Sequence, residues 1–131
     1  MEMEELLRRA AQARQNAYAP YSHFPVGAAL ECADGSVFTG CNIENAAFSP
    51  SICAERTAVA KAVSEGHRDF VRIAVAGGGA SFCPPCGVCR QVLAEFAGDA
   101  LEVLLVNGRG EIRETTLGAL LPGRFDSANL G

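Results

Sequence analysis

Three cysteines and one glutamate, carried by two short segments, have the types and spacing of a catalytic zinc site. Cys53 and Glu55 belong to the first segment, and Cys86 and Cys89 belong to the second. Three thiolate ligands leave the fourth position of a tetrahedral zinc ion open, which is typical of catalytic rather than structural sites. Water in that position becomes a source of hydroxide near neutral pH, because zinc lowers its pKa to ~7. Glu55 is then placed to take the water proton and pass it to a substrate nitrogen.

The metal ligands are predicted to lie at the beginnings of two helices, over 53–65 and 87–96. Cys86 and Cys89 are three residues apart, so their side chains share one helical face. Cys53 begins the other helix. The N-terminus of a helix has free N–H groups and a partial positive charge, and both favour thiolates. The two helix starts are therefore expected to converge on one zinc ion per chain.

Arg56 directly follows the candidate proton acceptor and is expected to tune the metal. Three thiolates and a hydroxide give the zinc complex a net negative charge, and strong thiolate donation makes zinc a weaker Lewis acid. A guanidinium that is hydrogen-bonded to the sulfurs would offset both effects. The alternative interpretation is a solvated surface arginine.

Cys83 forms a second Cys-x-x-Cys pair with Cys86, which leaves open a structural site of four cysteines. Two prolines lie between them and hold this stretch extended and outside the helix. Cys83 is therefore expected in the loop and not on the metal. Cys32 and Cys41 are expected to be small core residues of two strands.

The remaining pattern predicts a sheet with helices on both of its faces. Beyond the two helices above, the predicted elements are a helix over 4–18, strands over 26–30, 37–41, 70–76, 101–106 and 111–114, and a short helix near the C-terminus. The connection over 107–110 is too short for a parallel crossover, so the last two strands must be antiparallel. We therefore expect a three-layer α/β/α sandwich around a mixed five-stranded sheet.

Length and composition predict one globular domain that spans residues 1–131. The apolar fraction is 49%, the charged fraction is 20% and the net charge is −4. The sequence lacks the clustered Lys and Arg residues that are typical of nucleic-acid binding. It also has no apolar run long enough to cross a membrane. The acidic residues 1–5 do not resemble a secretory signal, so a cytoplasmic protein is expected. In that reducing compartment its six cysteines are expected to bind metal or be buried.

Five segments of the chain resemble the small homotetrameric zinc-dependent cytidine deaminases. The Cys-Ala-Glu and Pro-Cys-x-x-Cys motifs are the signature of the wider superfamily of nucleobase and nucleoside deaminases. The matching segments are 18–30, 40–46, 53–58, 86–91 and 120–125, and the similarity covers essentially the whole chain. The resemblance implies hydrolytic deamination of cytidine and 2′-deoxycytidine to uridine and 2′-deoxyuridine, with release of ammonia, in pyrimidine salvage.

The resemblance also implies roles for particular residues. Cys53, Cys86 and Cys89 would bind zinc, and Glu55 would carry the proton of the zinc-bound water to N3 and then to the amine that departs from C4. The implied substrate contacts are Asn42 and Glu44 at the ribose 3′-hydroxyl, Phe24 against the pyrimidine, the Ala54 amide at its carbonyl oxygen, and Phe125 from a neighbouring subunit of the tetramer. Phe48 stands where family members often have Tyr, so the chain lacks a hydroxyl that could contact the substrate near the sugar.

Three other functions remain as alternatives. A deaminase of a cytosine-nucleoside antibiotic such as blasticidin S would share the zinc motif, but the Asn-Ile-Glu-Asn-Ala segment over 42–46 favours an ordinary nucleoside. A non-enzymatic zinc module of four cysteines would leave Glu55 without a role. A thiol–disulfide protein would bind no zinc. A deaminase of RNA or DNA is disfavoured, because a basic surface and a helix before the last strand would be expected.

Overall fold

The computed structural model describes all residues from 1 to 131. A five-stranded sheet lies at its centre, with the strands in the order β2-β1-β3-β4-β5. The strands are β1 (Val26–Cys32), β2 (Val37–Cys41), β3 (Phe70–Gly77), β4 (Glu102–Val106) and β5 (Ile112–Thr116). The β3 and β4 strands are parallel, and all other neighbours are antiparallel. The predicted mixed sheet, including its antiparallel last pair, is confirmed.

Helices cover both faces of the sheet. They are α1 (Met3–Ala13), α2 (Ala54–Ser64), α3 (Gly87–Phe96) and the short α4 (Leu117–Leu120), with two 3₁₀ turns at Arg14–Asn16 and Ser127–Leu130. None of these helices has the length and apolar character needed to cross a membrane.

Two hydrophobic clusters fill the spaces between the sheet and the helices on its two faces. Leu6, Leu7 and Ala10 of α1 pack on Ala74 and other small residues on one face of the sheet. Residues of α2 and α3, such as Leu93, pack on the opposite face in a second and larger cluster. Successive strand residues point to opposite faces, so the central strands supply side chains to both clusters. This arrangement confirms the predicted three-layer α/β/α sandwich.

The predicted extent of the first helix is wrong at its C-terminal end. The α-helix stops at Ala13, and the chain is extended again by Ala17. Tyr18 forms a bridge with Ile43, in which its N–H donates to the Asn42 carbonyl at 2.9 Å and its carbonyl accepts from the Glu44 N–H at 2.8 Å. Helical periodicity reports only local spacing, and here long-range backbone pairing determines the conformation.

Candidate metal centre and substrate pocket

Three cysteine sulfurs converge at the beginnings of α2 and α3. Cys53 is the N-cap of α2, Cys86 is the N-cap of α3, and Cys89 lies in the first turn of α3. The three sulfurs lie within 4.8 Å of one another. The Sγ atoms of Cys53 and Cys86 are 3.8 Å apart, and those of Cys86 and Cys89 are 3.4 Å apart. The structure thus brings together the three side chains that the sequence predicts as ligands.

The sulfur triangle fits a zinc ion. Zinc–sulfur bonds of ~2.3 Å in tetrahedral geometry place two sulfurs ~3.8 Å apart, close to the two sulfur–sulfur separations in the structure. Thiolates are soft donors, and a set of three leaves one coordination position for water or substrate. Cys53, Cys86 and Cys89 therefore suit a catalytic zinc ion.

The other cysteines lie outside this triangle. Cys83 lies half-buried in the loop before α3, as predicted, and burial raises the pKa of its thiol to about 11. Cys32 is buried in β1, whereas Cys41 in β2 is partly exposed, so only the first is a true core residue. All six cysteines are free thiols in the structure, and none is paired in a disulfide.

The groups around the Cys53 sulfur favour its deprotonated form. The neighbouring Cys89 thiol, the Arg56 guanidinium and the Cys86 thiol all stabilise the Cys53 thiolate, and together they lower the pKa of Cys53 below its usual value. The neighbouring Cys53 sulfur and burial raise the pKa of Cys89. Arg56 Nη2 lies 3.5 Å from Cys53 Sγ, which is the contact to sulfur predicted for this arginine. The same contact raises the pKa of Arg56, so its positive charge is maintained.

Glu55 lies beside the sulfurs, with only 4% of its surface exposed. Burial favours the neutral carboxyl and raises the pKa of Glu55 to about 7, although a hydrogen bond from its own backbone N–H opposes this effect. A carboxyl with a pKa near neutrality can both accept and release a proton under ordinary conditions. Its placement therefore suits the predicted role in proton transfer.

A cavity of about 680 Å³ opens over the sulfurs and Glu55. Ligand pockets span roughly 300–1,000 Å³, so a nucleoside-sized molecule fits this space. Four of the five predicted substrate-contacting residues line it, namely Phe24, Asn42, Glu44 and Ala54. Ala54 is the first residue of α2, where the helix supplies no acceptor for the backbone N–H.

Phe125 is the predicted substrate contact that does not line the cavity of its own chain. Its side chain is 60% exposed, and its carbonyl oxygen accepts a hydrogen bond from Gln91 Nε2 at 2.8 Å. Gln91 belongs to α3, which also carries Cys89, so the C-terminal segment is attached to the helix of the metal centre. An exposed aromatic ring in this position is available to a neighbouring molecule.

Asn42 has a structural task that the sequence did not reveal. Its Oδ1 accepts from the Val26 N–H at 2.9 Å, and its Nδ2 donates to the Phe24 carbonyl at 2.9 Å. The amide therefore fixes the chain between Phe24 and the first residue of β1. One lone pair and one N–H remain for a ligand.

Ser22 is a residue of the pocket that the sequence-based prediction missed. The Glu44 carboxylate accepts from the Tyr21 N–H at 3.0 Å, from the Ser22 N–H at 3.1 Å and from the Ser22 hydroxyl. These hydrogen bonds, that of the Ser22 hydroxyl above all, hold the pKa of Glu44 below its usual range. The only signal for Ser22 was its position within the matching segment 18–30, beside Phe24.

The α/β/α fold and the thiolate triangle place the protein among the zinc-dependent hydrolytic enzymes whose metal lies at two helix N-termini. Residues 1–105 match the model of the cytidine and deoxycytidylate deaminase zinc-binding region. The chain is also 51% identical over 130 residues to the cytidine deaminase of Sporosarcina psychrophila, covering 99% of this chain and 96% of that protein. It therefore belongs to the cytidine and deoxycytidylate deaminase family.

Solved structures agree with this assignment. The structure of cytidine deaminase from Burkholderia pseudomallei superposes with a TM-score of 0.92 at 49% identity, covering 95% of this chain and 100% of that chain. The blasticidin-S deaminase of Bacillus cereus is 30% identical over 108 residues, covering 76% of each chain. The antibiotic deaminase is thus a more distant relative than the two cytidine deaminases. The predicted family and its zinc dependence are confirmed.

Proposed function

We propose that this chain hydrolyses cytidine and 2′-deoxycytidine to uridine and 2′-deoxyuridine with release of ammonia. The observation that carries this proposal is the position of Glu55 between three converging sulfurs and a nucleoside-sized cavity. The 51% identity to a cytidine deaminase over 130 residues supports the same substrate. We further propose that residues 1–131 act as one domain and that the protein works in the cytoplasm, in pyrimidine salvage.

Cys53, Cys86 and Cys89 would hold one zinc ion per chain. When bound, zinc acts as a Lewis acid and lowers the pKa of water to ~7. Arg56 donates to the Cys53 sulfur and would offset part of the negative charge of three thiolates.

Glu55 moves the protons of the reaction. It takes one proton from the attacking water and delivers it to N3 of the pyrimidine, while the water oxygen bonds to C4. Glu55 then carries the second proton from the new C4 hydroxyl to the amine. The C4–N bond breaks, ammonia leaves, and the C4 carbonyl of the product forms. A pKa of about 7 suits both the uptake and the release.

The cavity residues would orient the nucleoside. Phe24 offers a ring face to the pyrimidine, and the Ala54 N–H is available to the base carbonyl. The free N–H of the Asn42 amide would donate to the ribose 3′-hydroxyl, and the Glu44 carboxylate would accept a hydrogen bond from it. Because Ser22 and the backbone hold the Glu44 carboxylate in place, little side-chain entropy remains to be lost on binding.

A substrate panel tests the proposed activity. Purified zinc-loaded protein is incubated with cytidine, 2′-deoxycytidine, adenosine and blasticidin S, and the products are identified by chromatography. We expect uridine and 2′-deoxyuridine in amounts equal to the ammonia released. Turnover of blasticidin S alone would contradict this proposal and show that the protein is a deaminase of a cytosine-nucleoside antibiotic.

The acidic ribose site is expected to exclude nucleotides. Glu44 accepts hydrogen bonds from sugar hydroxyls but repels a phosphate, and Arg and Lys are absent from the segment 42–52. We predict that CMP and dCMP are poor substrates. Glu44→Gln should lower kcat/KM for cytidine about tenfold, the scale of a hydrogen bond to a charged group.

The exposed Glu65, at the C-terminal end of α2, offers a matched control. Glu65→Gln makes the same change of charge away from the cavity and should leave kcat/KM unaltered. Equal efficiency with cytidine and CMP would contradict the role of Glu44 in selecting the substrate.

We propose a homotetramer in which Phe125 contacts the substrate in a neighbouring subunit. The exposed ring and its attachment to α3 support this arrangement. Phe125→Ala should raise KM for cytidine about tenfold, since base–aromatic stacking is worth ~1–3 kcal/mol. Sedimentation of the wild-type protein should give four chains per particle. A fully active monomer would contradict the shared site.

A further inference from the structure

Asn107 is a buried polar residue that lies outside the metal centre and does not line the cavity above it. It lies directly after β4 and is 5% exposed. Its Oδ1 accepts from the N–H groups of Arg109 and Glu111, both at 3.0 Å, and so closes the turn that leads to β5. Its Nδ2 donates to Glu111 Oε1 at 2.8 Å and to the Ala80 carbonyl at 2.9 Å. The last contact leaves the turn and reaches the loop between β3 and α3.

A second residue of the same turn holds the same loop. The Gly108 N–H donates to the Gly79 carbonyl at 2.7 Å. The two backbones are so close that a Cβ on Gly108 would lie 2.2 Å from the Gly78 carbonyl oxygen. We call residues 77–80 the floor segment. Two adjacent residues, Asn107 and Gly108, thus fix the floor segment through two consecutive carbonyls.

The floor segment supports the ring of Phe24. A Cβ on Gly79 would lie 3.5 Å from Phe24 Cε1, and a Cβ on Gly77 would lie 3.7 Å from Phe24 Cζ. Phe24 also lines the cavity over the metal centre, so its ring lies between the floor segment and the substrate space. A displacement of the floor segment would therefore move or loosen the ring.

We propose that Asn107 is a positioning residue for substrate binding, which acts by fixing the floor segment beneath Phe24. This inference rests on the proposed function, in which Phe24 lies against the pyrimidine. The side chain joins the end of β4 to Ala80 and, through the floor segment, to the ring. Stacking on Phe24 stabilises the bound substrate and the transition state about equally. Loss of the support should then raise KM and leave kcat nearly unchanged.

The variant Asn107→Asp separates the two tasks of the side chain. Aspartate keeps the oxygen that closes the turn, but it places an acceptor where the amide donated to the Ala80 carbonyl and to Glu111 Oε1. We expect KM for cytidine to rise about tenfold, the scale set by one buried carbonyl left without its partner. The kcat value should change less than about twofold, and zinc content should stay at one per chain.

The matched control is Glu111→Ala, which removes the other acceptor of the same amide group. It leaves the contact between Asn107 and Ala80 in place, so KM should stay near the wild-type value. Melting temperatures of both variants show how far each affects folding. A structural role alone would lower the melting temperature of Asn107→Asp while its KM stayed at the wild-type value, and that result would overturn the proposal.

Gly108→Ala tests the same support without touching Asn107, and it decides the question if Asn107→Asp does not fold. The added methyl group must push the Gly78 carbonyl away, so KM should rise here as well. A wild-type KM in the folded variants overturns this inference alone, provided that the wild-type protein converts cytidine to uridine. A wild-type protein that leaves cytidine unchanged overturns the proposed function, and this inference with it.

Discussion

Replacing Glu55 by Gln is expected to lower kcat for cytidine by at least ~10²-fold while zinc stays bound. Glutamine has nearly the same shape as glutamate, but its amide cannot take a proton from water and return it to the substrate. The cost in folding should be small, because burial already raises the pKa of Glu55 to about 7 and favours the neutral form. Steady-state kinetics, metal analysis and thermal melting of the same preparation check the three parts of this prediction.

Glu65→Gln provides the control for this experiment too, since Glu65 follows the last residue of the same helix, α2, and is exposed. It should have wild-type kcat and zinc content. If Glu55→Gln kept both its zinc and near wild-type kcat, the proton-transfer role would be wrong. If it lost zinc instead, Glu55 would be acting on the metal rather than on the substrate.

Serine substitutions at the three clustered cysteines should remove zinc and with it the activity. Changing a residue that only contacts a ligand typically costs 10–100-fold in metal affinity. Loss of a ligand itself should therefore weaken zinc binding by more than ~100-fold in Cys53→Ser, Cys86→Ser and Cys89→Ser. Competition with a chromophoric chelator measures these affinities, and a deamination assay follows the parallel loss of turnover.

Cys83→Ser is the matched control for the metal centre. Cys83 is also a half-buried thiol near the cavity, but its sulfur is not part of the triangle. This variant should bind one zinc per chain with wild-type affinity. Zinc loss in Cys83→Ser would contradict the three-cysteine site and favour the structural module of four cysteines.

The chemical centre could be predicted from the sequence because its information is local. Cys86 and Cys89 are one helical turn apart, and Cys53 and Glu55 lie within three residues of each other. Helix geometry then fixes which side chains share a face, and the structure places the N-caps of α2 and α3 where the pattern predicted helix starts. The one step that needed long-range information was the convergence of the two helices. It could be inferred from the sequence because cysteines at both helix N-termini are expected to bind one metal ion.

The antiparallel pairing of β4 and β5 was predictable for a similar reason. A connection over 107–110 leaves room for a tight turn but not for the crossover that a parallel pair needs. The extent of α1 was not predictable, because its periodic apolar residues continue to Ala17 while the backbone must leave the helix to pair with residues 42–44. Periodicity records which residues could be buried on one face, and it contains no information about distant backbone partners.

The tasks of Asn42 and Asn107 were hidden for the same physical reason. Each amide bridges segments that are distant in sequence, Asn42 to the beginning of β1 and Asn107 to the loop after β3. A single amide in a sequence does not show which backbone groups it will satisfy. The resemblance gave Asn42 a contact with the substrate, whereas the structure adds that the same side chain fixes the chain at Phe24.

Hydrolysis of cytidine in water enriched in heavy oxygen tests the central claim most directly. The zinc-loaded wild-type protein is incubated with cytidine in that water, and the product is examined by mass spectrometry. If the three cysteines and Glu55 act as described, the product is uridine that carries one solvent oxygen at C4, and ammonia is released in equal amount. Unchanged cytidine, or uridine without solvent oxygen, in a sample that contains one zinc per chain would contradict the account.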